Sequence, residues 1–317
     1  MRRELTIGGG SRAWPRLAAT ALALAALIWM VDGRAVWGIL AATDPILAGL
    51  AVLLVQAQTI LSAWRWREIA ARLGLPIAPA TAIGEYYLAG LLNQLLPGGV
   101  PGDVARAVRL RIGDSAWRPG VGESSWRPVV RSIVIERTAG QIALAAVAAA
   151  GLAALGGDVW MGSGVDVAII LAVLALAILS VVLLVRHGPA PLGRALADLG
   201  PDFRAALFAS GAWRTQVGLN LSIVAAYIAA FALAAAATGH PLPVAALITL
   251  VPLVLFSMAI PLTVGGWGIR EGTAAALWPS IGLEPEAGVA AGALYGLILL
   301  AGSLPGLIVL LRPRAGR

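Results

Sequence analysis

Residues 215–269, TQVGLNLSIVAAYIAAFALAAAATGHPLPVAALITLVPLVLFSMAIPLTVGGWGI, run for 55 positions without one Asp, Glu, Lys or Arg. A helix needs about 20 apolar residues to cross a bilayer, so this run holds one complete span, a short turn at Gly239–Pro243 and the first arm of a second segment. That arm is interrupted before Arg270 and Glu271. Further uncharged runs of span length lie at 45–64, 138–157, 167–185 and 287–311, and a shorter one at 17–31 reaches span length with Ala13 and Trp14. Only 12% of the 317 residues are charged and 59% are hydrophobic, against about 25% charged in a soluble domain. The chain reads as an all-α polytopic membrane protein, not as a soluble enzyme with an anchor.

All 23 basic residues are arginine and cysteine is absent, which excludes disulfides, thiolate metal sites and lysine Schiff-base chemistry. No A-x-A-like site closes the 17–31 run, so it reads as a span rather than a cleaved signal peptide. Net charge is +7, but the placement of the arginines argues against nucleic acid as a partner. Basic residues collect at the cytoplasmic ends of spans. Four arginines lie in the N-terminal tail, three at 65–72, seven at 103–137, four at 186–214 and three after residue 311. The loops at 32–44, 158–166 and 282–286 carry six acids and only Arg34. The cytoplasmic side thus holds 21 arginines against 8 acids, with both termini inside. The Ala-, Gly- and Arg-rich composition points to a bacterial inner membrane. Membrane lipids and their anionic headgroups are the expected partners, with a homo-oligomer or a lipid-synthesis enzyme as open additions. No cofactor is expected, and His187 and His240 fall in opposite-facing loops, where they cannot share a metal.

Two stretches break the alternation. Residues 73–102 lie between two cytoplasmic arginine groups and 244–283 between two outer loops, so each should enter the membrane and return on its own side. Each has a helix-breaking centre, Pro97-Gly98-Gly99-Val100-Pro101-Gly102 in the first and Pro261-Leu262-Thr263-Val264-Gly265-Gly266-Trp267-Gly268 in the second. Unwound backbone at membrane depth is tolerated only where it is buried in protein or lines a wet cavity. The expected order is span, span, re-entrant hairpin, span, then the same again with opposite sidedness. That makes about six full spans plus two hairpins, seven or eight helices by another count. The single membrane domain of residues 1–317 then divides into inverted-repeat halves at about 13–157 and 167–311. Secondary transporters with inverted repeats hold substrate at discontinuous helices. Pro97, Val100, Gly102 and Arg106 share the spacing of Pro261, Val264, Gly266 and Arg270. Between the halves, 186–214 fits either an interfacial amphipathic helix or a solvated loop, and 111–127 reads as a cytoplasmic loop.

Several motifs together resemble the flippase-like membrane domain of lysylphosphatidylglycerol synthases. They are Asn93-x-x-x-Pro97-Gly98, Gly102-Asp103-x-x-Arg106, Glu136-Arg137, and Pro261-x-x-x-Gly265-Gly266-x-Gly268-x-Arg270-Glu271-Gly272, with Arg65-Trp66 ending the second span. The resemblance runs from about residue 15 to 311. In that family such a domain moves aminoacylated phospholipid, which a C-terminal soluble domain synthesises. This chain ends at Arg317 just after its last span, so a stand-alone membrane domain without lysyl transfer is expected. Other stand-alone relatives are linked to glycolipid and polyprenol-linked pathways. Thr138-Ala139-Gly140 follows Glu136-Arg137 where relatives carry an apolar pair and Asp.

A flippase needs a polar groove that carries a headgroup across about 30 Å of hydrocarbon while acyl tails stay in lipid. Each broken helix would leave free N–H groups at the start of its second arm, suited to a phosphate. Arg106 and Arg270 lie within a turn of those starts, where a guanidinium adds charge-assisted bonds. The expected headgroup contacts are Asn93, Pro97, Gly98, Gly99, Gly102, Asp103 and Arg106 in the first hairpin. In the second they are Pro261, Gly265, Gly266, Trp267, Gly268, Arg270 and Glu271. Glu85, Glu136 and Arg137 read either as proton-coupling groups or as ion pairs. A structural pair of Glu85 or Glu271 with Arg270 stays open. Asp103 reads foremost as the N-cap of the second arm, Arg106 equally as a plain cytoplasmic arginine, and Tyr86 and Tyr87 as belt or packing residues. Transport by a lipid flippase, without catalysis, is the leading function. An integral-membrane enzyme using Glu85, Asp103 or Glu271, and a non-transporting subunit of a lipid or glycan synthesis complex, are the other readings.

Overall fold

The computed structural model describes residues 17–18, 21–22, 25, 31–96, 100–112, 126–154, 199–260 and 263–311. Among these it is helical throughout, without a β-strand. The helices are α1 (Gly33–Ala41), α2 (Pro45–Arg72), α3 (Pro79–Leu95), α4 (Pro101–Ile112), α5 (Trp126–Ala154), α6 (Leu199–Leu207), α7 (Ala212–Ala237), α8 (Val244–Ser257), α9 (Ile269–Leu277), α10 (Pro285–Ser303) and α11 (Pro305–Leu311). Short 3-10 turns at Ala209–Gly211 and Trp278–Ile281 link neighbouring helices.

The boundaries follow local chemistry. Asp44 caps α2, accepting from the Ile46 N–H at 2.8 Å and the Leu47 N–H at 3.3 Å, and Pro45 holds the first helical position, where its missing N–H is no loss. Prolines also open α3, α4, α10 and α11. Four helices among the described residues are long and apolar enough to cross a membrane: Pro45–Arg72, Arg127–Ala153, Ala212–Ala237 and Pro285–Ser303. The expected spans at 17–31 and 167–185 lie largely or wholly outside the described residues. The 287–311 run is not one helix as expected, because it is interrupted at Leu304, before Pro305. Within 186–214 a short helix does form, and Leu207 and Ala206 of α6 pack with Ile69, Ile135 and Ala139.

The long helices α2 and α7 pack most extensively against each other. They run antiparallel, since the Asp44 N–H donates to Ala237 O at 2.9 Å near one end and Arg65 bonds Asn220 towards the other. Asp32 and Glu286 meet at the Asp44 end, whereas Arg72 with Ala209 and Arg131 with Asp202 meet at the opposite end. The helices that precede the two breaks make reciprocal contacts. Helix α8 packs on α5, and α3 packs on α10 and α11. Both contacts depend on a glycine: a Cβ at Gly151 of α5 would stand 2.3 Å from the Ile248 carbonyl oxygen, and one at Gly306 of α11 would stand 2.5 Å from that of Tyr87. Small residues permit such backbone approach where no hydrophobic force drives helices together.

Candidate functional site

The first break turns α3 back along α4. Asn93 Oδ1 accepts the Gly102 N–H at 2.8 Å, and Glu85 accepts Arg109 Nε through both oxygens, at 2.8 and 3.0 Å. Glu85 therefore belongs to a clasp within this hairpin and is not the partner of Arg270. Asp103 is not the N-cap that the sequence suggested. Because α4 already starts at Pro101, Asp103 sits inside the first turn, where its carboxylate accepts Arg106 Nη2 at 3.0 Å and Arg137 Nε and Nη2 at 3.0 and 3.1 Å.

Arg106 is 1% exposed. Its guanidinium carbon lies 4.2 Å from the Trp66 ring centroid and 4.9 Å from that of Tyr86, an arrangement in which the aromatic faces attract the cation. Nη2 also approaches Glu136 Oε2 at 3.6 Å. Nε and Nη1 are buried and have no hydrogen-bond partner among the described residues. Glu136, fully buried, pairs with Arg65 and accepts the Tyr86 hydroxyl at 2.9 Å. Arg65 Nη1 donates to Asn220 Oδ1 at 2.6 Å, and Asn220 Nδ2 to Gln216 O at 2.7 Å, so the network extends into α7. The Arg65 guanidinium lies against Gly140, where a Cβ would come within 3.2 Å of Nη1. Arg137, with 44% of its side chain exposed, forms the rim.

The second break is built on three glycines with positive φ, Gly265, Gly266 and Gly268, a backbone form that side chains resist. Arg270 has no solvent exposure. It pairs with Glu271 through Nε at 3.0 Å and through Nη2, and its guanidinium carbon stands 4.9 Å from the Trp267 ring and 5.9 Å from the Tyr295 ring. On α10, Gly296 leaves room for the group, since a Cβ there would fall 2.2 Å from Arg270 Nη2. Arg270 Nη1 and the Tyr295 hydroxyl are buried without hydrogen-bond partners among the described residues.

The helix starts are not free as expected. Asn93 takes the Gly102 N–H, and Glu271 Oε2 takes that of Gly268 at 2.6 Å. At each start a side chain thus already occupies one of the N–H groups that an anion would use. Pro97, Gly98, Gly99 and Pro261 lie outside the described residues. The two breaks touch: a Cβ on Gly265 would stand 2.6 Å from Gln94 Oε1 and 3.2 Å from Gln94 O.

Sequence reading missed Tyr86 as more than a belt residue, and it missed Arg109, Asn220 and Tyr295 altogether. Arg65 and Trp66 entered only through resemblance. Arg65 at the close of an apolar run was a usable signal, whereas nothing local marks Asn220 or Tyr295.

A family model described as the lysylphosphatidylglycerol synthase TM region matches residues 16–306. No curated protein and no solved structure matches the chain.

Proposed function

The chain belongs to the lysylphosphatidylglycerol synthase TM region family, and on that premise we propose that it is a lipid flippase-like transporter rather than an enzyme. Family membership and the apolar helices make it a multi-pass membrane protein related to lipid metabolism or transport. The cargo in this proposal is a phospholipid or a polyprenyl- or sugar-linked lipid of the bacterial inner membrane, with both chain termini in the cytoplasm. The two breaks are the tips of re-entrant hairpins opening to opposite faces.

The observation that carries the reading is the contact of Gln94 with Gly265. It joins two broken segments, each with a buried arginine against aromatic rings. Other features support it. Helix α8 has 14 residues, about 21 Å at 1.5 Å per residue, too short for a core of about 30 Å. The exchange of α8 onto α5 and of α3 onto α10 and α11 is what two inverted halves would make. A headgroup passed between Arg106 and Arg270 would then move between leaflets as the halves rock. Oligomers, or an enzyme that supplies the lipid, remain open as partners in this proposal.

Reconstitution in vesicles with fluorescent lipid, read by quenching with impermeant dithionite, tests the reading. The intact chain should expose inner-leaflet lipid to quenching, and Arg106→Ala and Arg270→Ala should slow this at least tenfold. Equal protection in all three and in protein-free vesicles would overturn it.

A further inference from the structure

The two arginine sites differ in charge. Around Arg106 the described residues supply three guanidinium groups, from Arg65, Arg106 and Arg137, and two carboxylates, from Asp103 and Glu136, all joined by contacts of 3.6 Å or less. Neighbouring Arg109 and Glu85 cancel each other. One positive charge is left over. The bonding is uneven: Asp103 accepts three N–H groups and Glu136 Oε1 accepts from Arg65 and Tyr86, whereas Glu136 Oε2, 3.6 Å from Arg106 Nη2, and Arg106 Nε and Nη1 are buried without hydrogen-bond partners among the described residues. A buried cluster with more cations than anions and with guanidinium N–H groups left unbonded is unfavourable, and an added anion relieves both deficits. At the second site the single charge of Arg270 is matched by Glu271, although Arg270 Nη1 also lacks a hydrogen-bond partner among the described residues.

We propose that the Arg106 site takes the singly charged phosphodiester of a lipid headgroup that carries no amine. This rests on the flippase reading and specifies its substrate class. One negative charge cancels the excess, and phosphoryl oxygens accept from the unpartnered guanidinium nitrogens. A headgroup ammonium would add to a cluster whose net charge is already positive. A pyrophosphate would bring more negative charge than the site can offset. The aromatic walls of Trp66 and Tyr86 exclude water from the pair and strengthen it. Because Arg270 is already neutralised, the anion is held at the Arg106 end and passes the other site without a strong charge trap.

The test is ligand-induced thermal stabilisation of the purified full chain in uncharged detergent. The probes are short-chain phosphatidylglycerol, short-chain phosphatidylethanolamine, a short polyprenyl pyrophosphate, and inorganic phosphate. The expected result is half-saturation by phosphatidylglycerol at a concentration at least tenfold lower than for the other three. Arg106→Gln should abolish that preference. Asp103→Asn, which raises the excess charge by one, should move the preference to the pyrophosphate, and it keeps the test decisive if Arg106→Gln does not fold. Equal half-saturation by all lipid probes, or an unchanged preference in Asp103→Asn, overturns the proposal. Inorganic phosphate as effective as phosphatidylglycerol overturns the lipid source. A chain that binds with this preference yet moves no lipid would sink the flippase reading alone. One that flips every headgroup without binding preference would sink this inference alone.

Discussion

Arg65 and Glu136, 71 positions apart in sequence, form an ion pair in which the carboxylate has no solvent exposure. The pair ties α2 to α5, and the remaining Arg65 nitrogen contact carries the tie to Asn220 on α7. Three helices thus meet at one guanidinium.

Removing one partner of a buried pair strands the other charge, which costs about 3–5 kcal/mol, whereas replacing both with apolar groups is often near neutral. Glu136→Leu should lower the thermal midpoint of the detergent-solubilised protein sharply. The double variant Arg65→Met/Glu136→Leu should recover most of that loss. A double variant as unstable as the single one would show that the pair is not the cause.

Glycine contacts between helices should be far less tolerant than open ones. Gly151→Ala and Gly306→Ala each force a methyl group into a backbone carbonyl of a neighbouring helix, and overpacking of this kind costs roughly 1–3 kcal/mol. Gly49→Ala in α2, with nothing within 4 Å of the added carbon, should leave stability unchanged or raise it by up to about 1 kcal/mol. Thermal unfolding of the three variants side by side checks the contrast.

Gly296→Ala should displace Arg270, because the new carbon would overlap its Nη2. The expected outcome is a destabilisation of about 1–3 kcal/mol together with loss of the lipid movement attributed to this arginine. Because Arg270→Ala alone strands the buried Glu271, the informative comparison is the double variant: Gly296→Ala/Arg270→Ala no less stable than Arg270→Ala would identify the guanidinium as the group that clashes.

The contact between the breaks is open to chemical test, because the chain has no native cysteine. Gln94→Cys/Gly265→Cys should cross-link under mild oxidation, read by mass spectrometry as loss of both alkylatable thiols that returns on reduction. Either single variant should not. If the flippase reading holds, reduction of the cross-link should restore lipid movement.

Much of this architecture was legible in the sequence. The long uncharged runs identify α2, α5, α7 and α10, because the apolar length of a spanning helix is a local property. The breaks at residues 96–100 and 258–268 were legible for a similar reason: proline and clustered glycine act on the backbone of their own segment. Two of the three loops assigned to one side by their charges, 32–44 and 282–286, meet through Asp32 and Glu286.

Within the site, local chemistry placed Arg106, Asp103, Arg270 and Glu271 near the breaks but not their partners. Asp103 was misread as a cap because a helix start shifted by three residues, from 104 to Pro101, changes which N–H groups a side chain can reach. Glu85 looked available to Arg270, yet its partner is Arg109 one hairpin arm away.

The sequence alone therefore determined which segments are helical and apolar, where they break, and that each break is followed by an arginine. Only the tertiary structure decided that Arg106 lies between Trp66 and Tyr86, that Arg65 joins Glu136 to Asn220, and that Gly265 lies against Gln94. The physical reason is range. Helix length and helix breaking depend on neighbours within a few residues. These contacts depend on how closely helices far apart in the chain can approach, and small residues such as Gly151, Gly296 and Gly306 set that distance only once the helices are packed.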